Sequence, residues 1–164
     1  MKTLGNSGLI QLYKIAFFAS SKTRSSSVLP TLDWATEIAK REDVAVCSGF
    51  QSPLEKEILP YLLKGKCGII IGLNRGIYKK IPQKFLEAYN SGRILFISLE
   101  NDNIIMPSKS NAEKRNNYLT SIADEIVFAS LNPNSGLYSL KESILKPFIG
   151  AFSPIGFTGF GIDT

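Results

Sequence analysis

The chain has 164 residues, the size of a single domain with a substantial core. Hydrophobic residues make up 44% and charged residues 20%, which indicates a globular protein rather than a disordered or fibrous one. The formal net charge of +5 weakly favours an anionic partner such as nucleic acid or a nucleotide. There is no histidine, so Ser–His and Cys–His catalysis is excluded and no zinc-ligand set is expected. The two cysteines, Cys47 and Cys67, lie near the ends of predicted buried strands, which favours reduced thiols over a disulfide.

The first apolar run follows a mixed lead-in of residues 1–11. Ile15–Ala19 is too short for an export signal or a membrane span, so it predicts a buried strand in a cytoplasmic protein. A polar loop from Ser20 to Ser27 follows, and its hydroxyl groups with Lys22 and Arg24 are suited to phosphate oxygens. Loops of this composition are also often solvated without a ligand. A helix is predicted after the loop, ending near residue 41.

A strand, a glycine turn and a capped helix form the central unit of the sequence. Val44–Cys47 predicts the second strand. Ser52 is the expected N-cap, Pro53 the first helical residue and Glu55 the partner in a capping box; the helix is predicted to run to about residue 64. A helix N-terminus beyond a strand end favours an anion, although an ordinary turn without a ligand is equally compatible with these residues.

The second half of the chain repeats the alternation of strand and helix. Further buried strands are predicted at Ile69–Gly72, Ile94–Ser98 and Ile126–Ala129, and a sixth at Pro147–Phe152. The intervening helices are predicted from Pro82 to Tyr89 and from a second capping box, Ser110–Glu113, with Tyr118, Leu119 and Ile122 buried. We expect residues 1–152 to form one domain and residues 153–164 a tail or an edge segment.

This order of elements predicts an α/β protein with a Rossmann-like, open, mainly parallel sheet of five to six strands and helices on both faces. Ligands of such sheets bind outside the carboxyl ends of the strands. Hydroxyls, amides, glycines and cations collect there and carboxylates are scarce, a composition suited to anions and sugars but poor in groups for proton transfer. The fingerprint G-x-G-x-x-G is missing after the first strand, which argues against an NAD enzyme, and no cofactor or metal is expected. The candidate phosphate- or nucleic-acid-binding residues are Ser20, Ser21, Lys22, Arg24, Ser48, Gly49, Phe50, Asn74, Arg75, Lys114, Arg115, Asn116, Ser135 and Gly136.

Three ordered motifs resemble the Rossmann-like core of the DNA-processing protein A family (DprA/Smf), and more closely its compact single-domain relatives with an S-G-F-x-S-P-x-E-K motif. The motifs are KIAFFASSK at residues 14–22, SGFQSPLEKE at 48–57, and EKRNN at 113–117 with ADE at 123–125. The resemblance covers about residues 5–152. The chain departs from the family where G-S-R is usual, since it has Ala19-Ser20-Ser21, and where R-N-R is reduced to Arg115-Asn116-Asn117.

The resemblance implies a non-catalytic protein that binds single-stranded DNA or a nucleotide, with a role in DNA uptake, processing and recombination. It also implies loading of a recombinase and a homodimer. The alternative comes from the wider superfamily, whose LOG (lysine-decarboxylase-like) members are nucleotide phosphoribohydrolases with a P-G-G-x-G-T-x-x-E motif. Residues 133–140 hold no glutamate in register with that motif, and Glu142 comes too late in the sequence, so catalysis is not expected.

Two side chains of the candidate site allow opposite interpretations. Phe50, like Tyr78, is a candidate for stacking on a base, but core packing is the favoured interpretation of Phe50. Arg115 is expected to be an exposed arginine that faces the strand-end crevice and contributes little to stability. In the alternative interpretation, Arg115 is a structural ion-pair partner of Asp124 or Glu113.

Overall fold

The structure of the protein, a computed structural model, describes residues 1–22, 25–130 and 136–143. Within these ranges six strands form one sheet in the order β1-β5-β4-β3-β2-β6. The strands are β1 (Lys2–Gly5), β2 (Tyr13–Ala19), β3 (Val44–Ser48), β4 (Gly68–Leu73), β5 (Ile94–Ser98) and β6 (Glu125–Ser130). The helices are α1 (Ser25–Ala39), α2 (Pro53–Lys64), α3 (Leu86–Asn90), α4 (Lys109–Ile122) and α5 (Gly136–Ser143). Short 3₁₀ helices at Ser7–Gln11 and Gln83–Phe85 complete the described elements.

The predicted α/β architecture is confirmed. Strands β2 to β6 pair in parallel, and every residue of β3, β4, β5 and β6 is buried, so both faces of the sheet are covered. Aromatic pairs fill the two sides of the core: Phe17 stacks on Trp34 with ring centroids 5.1 Å apart, and Phe18 stacks on Phe128 at 5.6 Å. The continuous apolar runs predicted these strands because a strand that is buried on both faces does not alternate between polar and apolar residues.

The edge strand β1 is the element that the sequence analysis missed. Residues 1–11 were interpreted as a lead-in, yet Lys2–Gly5 pairs antiparallel with β5 and places Lys2 opposite Ser98. The strand has four residues and is mostly exposed, so it carries no apolar pattern. Gly5 ends it at φ 116°, with its Cα so close to the Ile94 carbonyl that no Cβ fits there.

Three helix starts differ from the prediction. The helix predicted from Pro82 is a 3₁₀ helix at Gln83–Phe85 followed by α3, which begins at Leu86. Helix α1 includes Ser25–Ser27, which were predicted to belong to the polar loop after β2. Helix α4 begins at Lys109 with Ser108 as N-cap, whose hydroxyl accepts a hydrogen bond from the Asn111 amide at 3.0 Å. The predicted capping box at Ser110 is therefore wrong.

Several expectations concern residues outside the described ranges. They are the predicted strand at 147–152, the tail at 153–164, and the candidate site residues Arg24 and Ser135. In the part of the chain that the structure describes, no helix is long and apolar enough to cross a membrane. Cys47 and Cys67 are buried free thiols, as predicted.

Candidate functional site

A cavity of about 820 Å³ lies beyond the carboxyl end of β2, between the amino-terminal turns of α2, α4 and α5. It is where the open-sheet rule places a ligand. The polar side chains along its wall are Ser20, Ser21, Gln51, Ser52, Glu55, Lys109, Glu113, Arg115, Asn116 and Asn117, and the wall is completed by Ala19, Ala112, Gly136, Leu137 and Leu140. Charged side chains and amide side chains therefore line the same cavity.

Arg115 is the most informative residue of this wall because its charge is buried. Arg115 is only 6% exposed. Its side chain passes over Gly49, which follows β3, and Gly72, near the end of β4. The guanidinium group lies on Gly49, and a Cβ on Gly72 would come within 2.7 Å of the Arg115 Cγ. The expectation of an exposed Arg115 is wrong: the two glycines leave room for the side chain to lie flat over the sheet.

The hydrogen bonding of Arg115 is incomplete. Its Nε donates to Asn116 Oδ1 at 3.0 Å, whereas the buried Nη1 has no hydrogen-bond partner. Among the described residues no carboxylate forms an ion pair with Arg115, and Asp124 instead pairs with Lys14 at 3.2 Å. Burial lowers the pKa of Arg115, and the nearby charge of Glu55 partly opposes that shift. The interpretation of Arg115 as an ion-pair partner of Asp124 or Glu113 is thus not supported.

Glu55 connects helix α2 to the end of strand β2. Its side chain is 5% exposed, and Oε2 accepts a hydrogen bond from the Ala19 amide at 3.0 Å. Oε1 accepts from the amides of Gln51 and Ser52 at 3.1 and 3.3 Å. The carboxylate half of the predicted capping box is therefore present, and the same carboxylate also fixes the strand that forms the cavity wall.

Five of the predicted site residues meet at the cavity: Ser20, Ser21, Arg115, Asn116 and Gly136. Ser20 is buried and its amide donates to the Ser130 carbonyl at 2.8 Å, while Ser21 and Gly136 are exposed. Gly49 does not line the cavity but supports Arg115 from below. Lys22 is exposed and does not line the wall.

The remaining predicted residues lie elsewhere. Phe50 is 5% exposed and belongs to the hydrophobic core, so the stacking interpretation is wrong and the core interpretation is confirmed. Its φ of 52° is held by the buried Ser48 hydroxyl, which accepts from the Phe50 amide at 3.1 Å. Lys114 is exposed and pairs with Glu100. Asn74 and Arg75 lie at the end of β4, outside the cavity.

Sequence reasoning missed part of the wall. Gln51, Lys109, Glu113 and Asn117 line the cavity but were not among the candidates. Lys109 could have been found from the true N-cap, Ser108. A helix that starts after Ser108 has Lys109 in its first turn, which faces the strand ends. Gln51 lies inside the recognised SGFQSP motif, between the strand end and the helix cap.

The chemistry of the wall favours an anionic, hydrogen-bonding ligand. Arg115 and Lys109 supply positive charge, and Ser21, Asn116 and Asn117 supply hydroxyl and amide groups. Within residues 1–22, 25–130 and 136–143, no cluster of histidine, cysteine or acidic side chains is arranged to hold a metal ion.

The fold and the position of the strand-end cavity define a Rossmann-like α/β protein. No protein-family model and no curated protein sequence matches the chain. Among solved structures the chain is similar to DNA processing protein A of Helicobacter pylori, a structure described for its single-stranded DNA binding mode. The TM-score is 0.71 and the sequence identity 18%, and the match covers 89% of this chain and 68% of the H. pylori chain. It is also similar to DprA of Streptococcus pneumoniae, with a TM-score of 0.67 and 15% identity over 96% of this chain and 58% of that one. The chain has the DprA-like fold.

Proposed function

We propose that the protein binds single-stranded DNA, with a phosphate group of the strand held in the cavity by Arg115. The observation that carries the proposal is the buried guanidinium group whose Nη1 lacks a partner. A buried hydrogen-bond donor that is left unsatisfied costs about 1–3 kcal/mol, and more when the group is charged. Arg115 lines the cavity, so an anion that bonds to Nη1 there removes that cost with a charge-assisted hydrogen bond.

Other side chains of the cavity wall are suited to the phosphate and to the sugar and base groups attached to it. Lys109 is exposed at the first turn of α4, where the helix dipole also favours negative charge. Asn116 and Asn117 offer amide groups to sugar or base atoms. The similar H. pylori protein is described as binding single-stranded DNA, which supports the same ligand class here.

The proposed cellular role rests on the resemblance to the DprA family. The proposal assigns the protein to DNA processing and recombination in the cytoplasm, where it holds incoming single strands and delivers them to a recombinase. A homodimer is part of the proposal. Dimer formation is measurable by sedimentation at several protein concentrations, and recombinase delivery by the rate of filament growth on DNA that the protein already covers.

The test uses Arg115→Met, because methionine keeps an aliphatic chain over Gly72 but removes the charge. Binding of labelled oligo-dT is measured against duplex DNA and mononucleotides at two salt concentrations. We expect the protein to prefer the single strand. We expect the variant to bind it more weakly, with a salt slope smaller by about 0.7, the value for one phosphate contact on single strands.

The matched control is Arg41→Met. Arg41 is exposed and pairs with Asp43 beyond the carboxyl end of α1, and the variant removes the same charge. Equal binding by the two variants would overturn the assignment of Arg115. Far-ultraviolet circular dichroism of both variants confirms that a loss of binding is not a loss of fold.

A nucleotide phosphoribohydrolase is the second candidate. Glu113 favours it, because this exposed carboxylate lies on the cavity wall next to Gly136. Glu55 is unsuited to proton transfer, since three backbone amides already donate to its oxygens. Release of free base from nucleoside monophosphates, abolished by Glu113→Gln, would establish the hydrolase in place of the binding protein.

A further inference from the structure

A second cationic surface lies outside the cavity, on the loops that follow β4 and β5. We call it the loop surface and define it as residues 74–80 and 99–108. The Gly76 amide donates to the Ile104 carbonyl at 2.7 Å, and the Ser98 hydroxyl donates to the Arg75 carbonyl. A Cβ on Gly76 would come within 2.6 Å of the Asn101 carbonyl oxygen, so the two loops pack closely. The two loops are therefore held against each other at Gly76.

The carboxylates of the loop surface are already neutralised. Glu100 pairs with Lys114 and Asp102 pairs with Lys2. Lys79 and Lys80 are both exposed, and neither forms an ion pair with any residue that the structure describes. Arg75 forms none either. The loop surface therefore carries excess positive charge, and that charge is available to an anionic partner.

The side chain of Arg75 adds a planar, positively charged group to the loop surface. Its guanidinium group lies over the Tyr78 ring, 5.0 Å from the centroid, and its Nε donates to the Gly76 carbonyl at 3.3 Å. Tyr78 in turn packs edge-on against the buried Phe96 at 5.2 Å. A guanidinium plane held in this way is a surface on which an unstacked base packs.

The loop surface continues into the cavity. Lys109 lines the cavity and directly follows the second loop, and Asn111 on the same helical turn donates to the Asn74 carbonyl at 3.5 Å. The first turn of α4, which carries Lys109, therefore contacts the loop that carries Arg75, Lys79 and Lys80.

We infer that the loop surface is a second subsite for single-stranded nucleic acid, which binds the nucleotides that extend beyond the cavity. Lys79 and Lys80 contact two phosphates of the extension, and Arg75 stacks on a base between them. The inference rests on the proposed function, since the first part of the strand is held at Arg115. It requires that affinity rise with strand length until the loop surface is covered.

The test is the double variant Lys79→Gln/Lys80→Gln, measured with a thymidine dinucleotide and with oligo-dT of about 20 nucleotides. For the long strand we expect weaker binding and a salt slope smaller by about 1.4, equivalent to two lost phosphate contacts. For the dinucleotide, which fills only the cavity, we expect unchanged binding.

The matched control is Lys64→Gln/Lys66→Gln. These two exposed lysines precede β4, at the opposite end of the sheet, and their loss lowers the net charge equally. If both double variants bind the long strand alike, or if Lys79→Gln/Lys80→Gln weakens the dinucleotide as much as the long strand, the second subsite is refuted. If the unmodified protein binds neither strand, the proposed function itself fails.

A third variant separates stacking from charge. Arg75→Lys keeps the positive charge but removes the planar group. We expect it to weaken binding of the long strand with no change in the salt slope and none in dinucleotide binding. Long-strand affinity equal to that of the unmodified protein would remove Arg75 from the subsite.

Discussion

The guanidinium group of Arg115 lies directly on Gly49, so that a Cβ at position 49 would overlap its Cζ and Nη1 atoms. Gly49 does not adopt a left-handed conformation, because the glycines with positive φ among the described residues are Gly5 and Gly92. Glycine is needed at this position for space rather than for backbone freedom. The end of strand β3 thus determines where the positive charge of helix α4 can lie.

We therefore expect Gly49→Ala to displace Arg115 rather than to unfold the protein. The overlapping atoms are the end of a flexible side chain, so the free energy of unfolding should fall by no more than about 1–3 kcal/mol. Binding of single-stranded DNA should weaken, because the guanidinium group no longer reaches the cavity. In an Arg115→Met background the same substitution should leave binding unchanged, and a further loss there would show that Gly49 acts independently of Arg115.

The sequence predicted the features that neighbouring residues encode, and it missed those that depend on residues far apart in the chain. The five parallel strands and the Glu55 contact at the start of α2 were predictable because neighbouring residues encode them. The burial of Arg115 was not, since it requires Gly49 and Gly72, which lie on other elements. Ser110 has a glutamate three residues later and Ser108 does not, so the local pattern favoured the wrong N-cap of α4.

Replacement of Arg115 should show that its aliphatic part stabilises the fold and its charge does not. We expect Arg115→Ala to lower the free energy of unfolding by about 1–3 kcal/mol, because it removes the packing over Gly72. Arg115→Met should lie within about 1 kcal/mol of the unmodified protein, since it keeps that packing and removes a buried charge. Urea denaturation of both variants measures the difference, and equal destabilisation by the two would contradict it.

Loss of the Glu55 carboxylate should destabilise the protein. Glu55→Gln replaces one of two accepting oxygens with an NH₂ group that faces a backbone amide. We expect the free energy of unfolding to fall by about 1–3 kcal/mol. Glu57→Gln, on the exposed side of the same helix, is the control and should change it by less than about 0.5 kcal/mol. Similar midpoints for the two variants in urea would refute the role of Glu55.

The buried thiols should make the protein less stable in alkali. Burial raises the pKa of Cys47 to about 12 and that of Cys67 to about 11, from an ordinary value of 9.0. Between these values the unfolded chain releases protons that the folded protein retains, so stability is complete below about pH 9 and is lost as the pH rises towards 11 and 12. Urea midpoints measured from pH 8 upwards should decline accordingly. The decline should be shallower in Cys47→Ala, and an unchanged slope in that variant would argue against the thiol as its cause.

The pairing of β2 with β6 has a consequence for folding during synthesis. The Lys14 amide donates to Asp124 Oδ2 at 2.8 Å across a separation of 110 residues. One side of β2 therefore has no strand partner until almost the whole described chain has been made, and contacts of such long range form slowly. Ala19 and Ser130 meet in that last pairing, next to the wall of the cavity. A nascent chain that stops before residue 125 would expose an apolar strand edge and would be prone to aggregate.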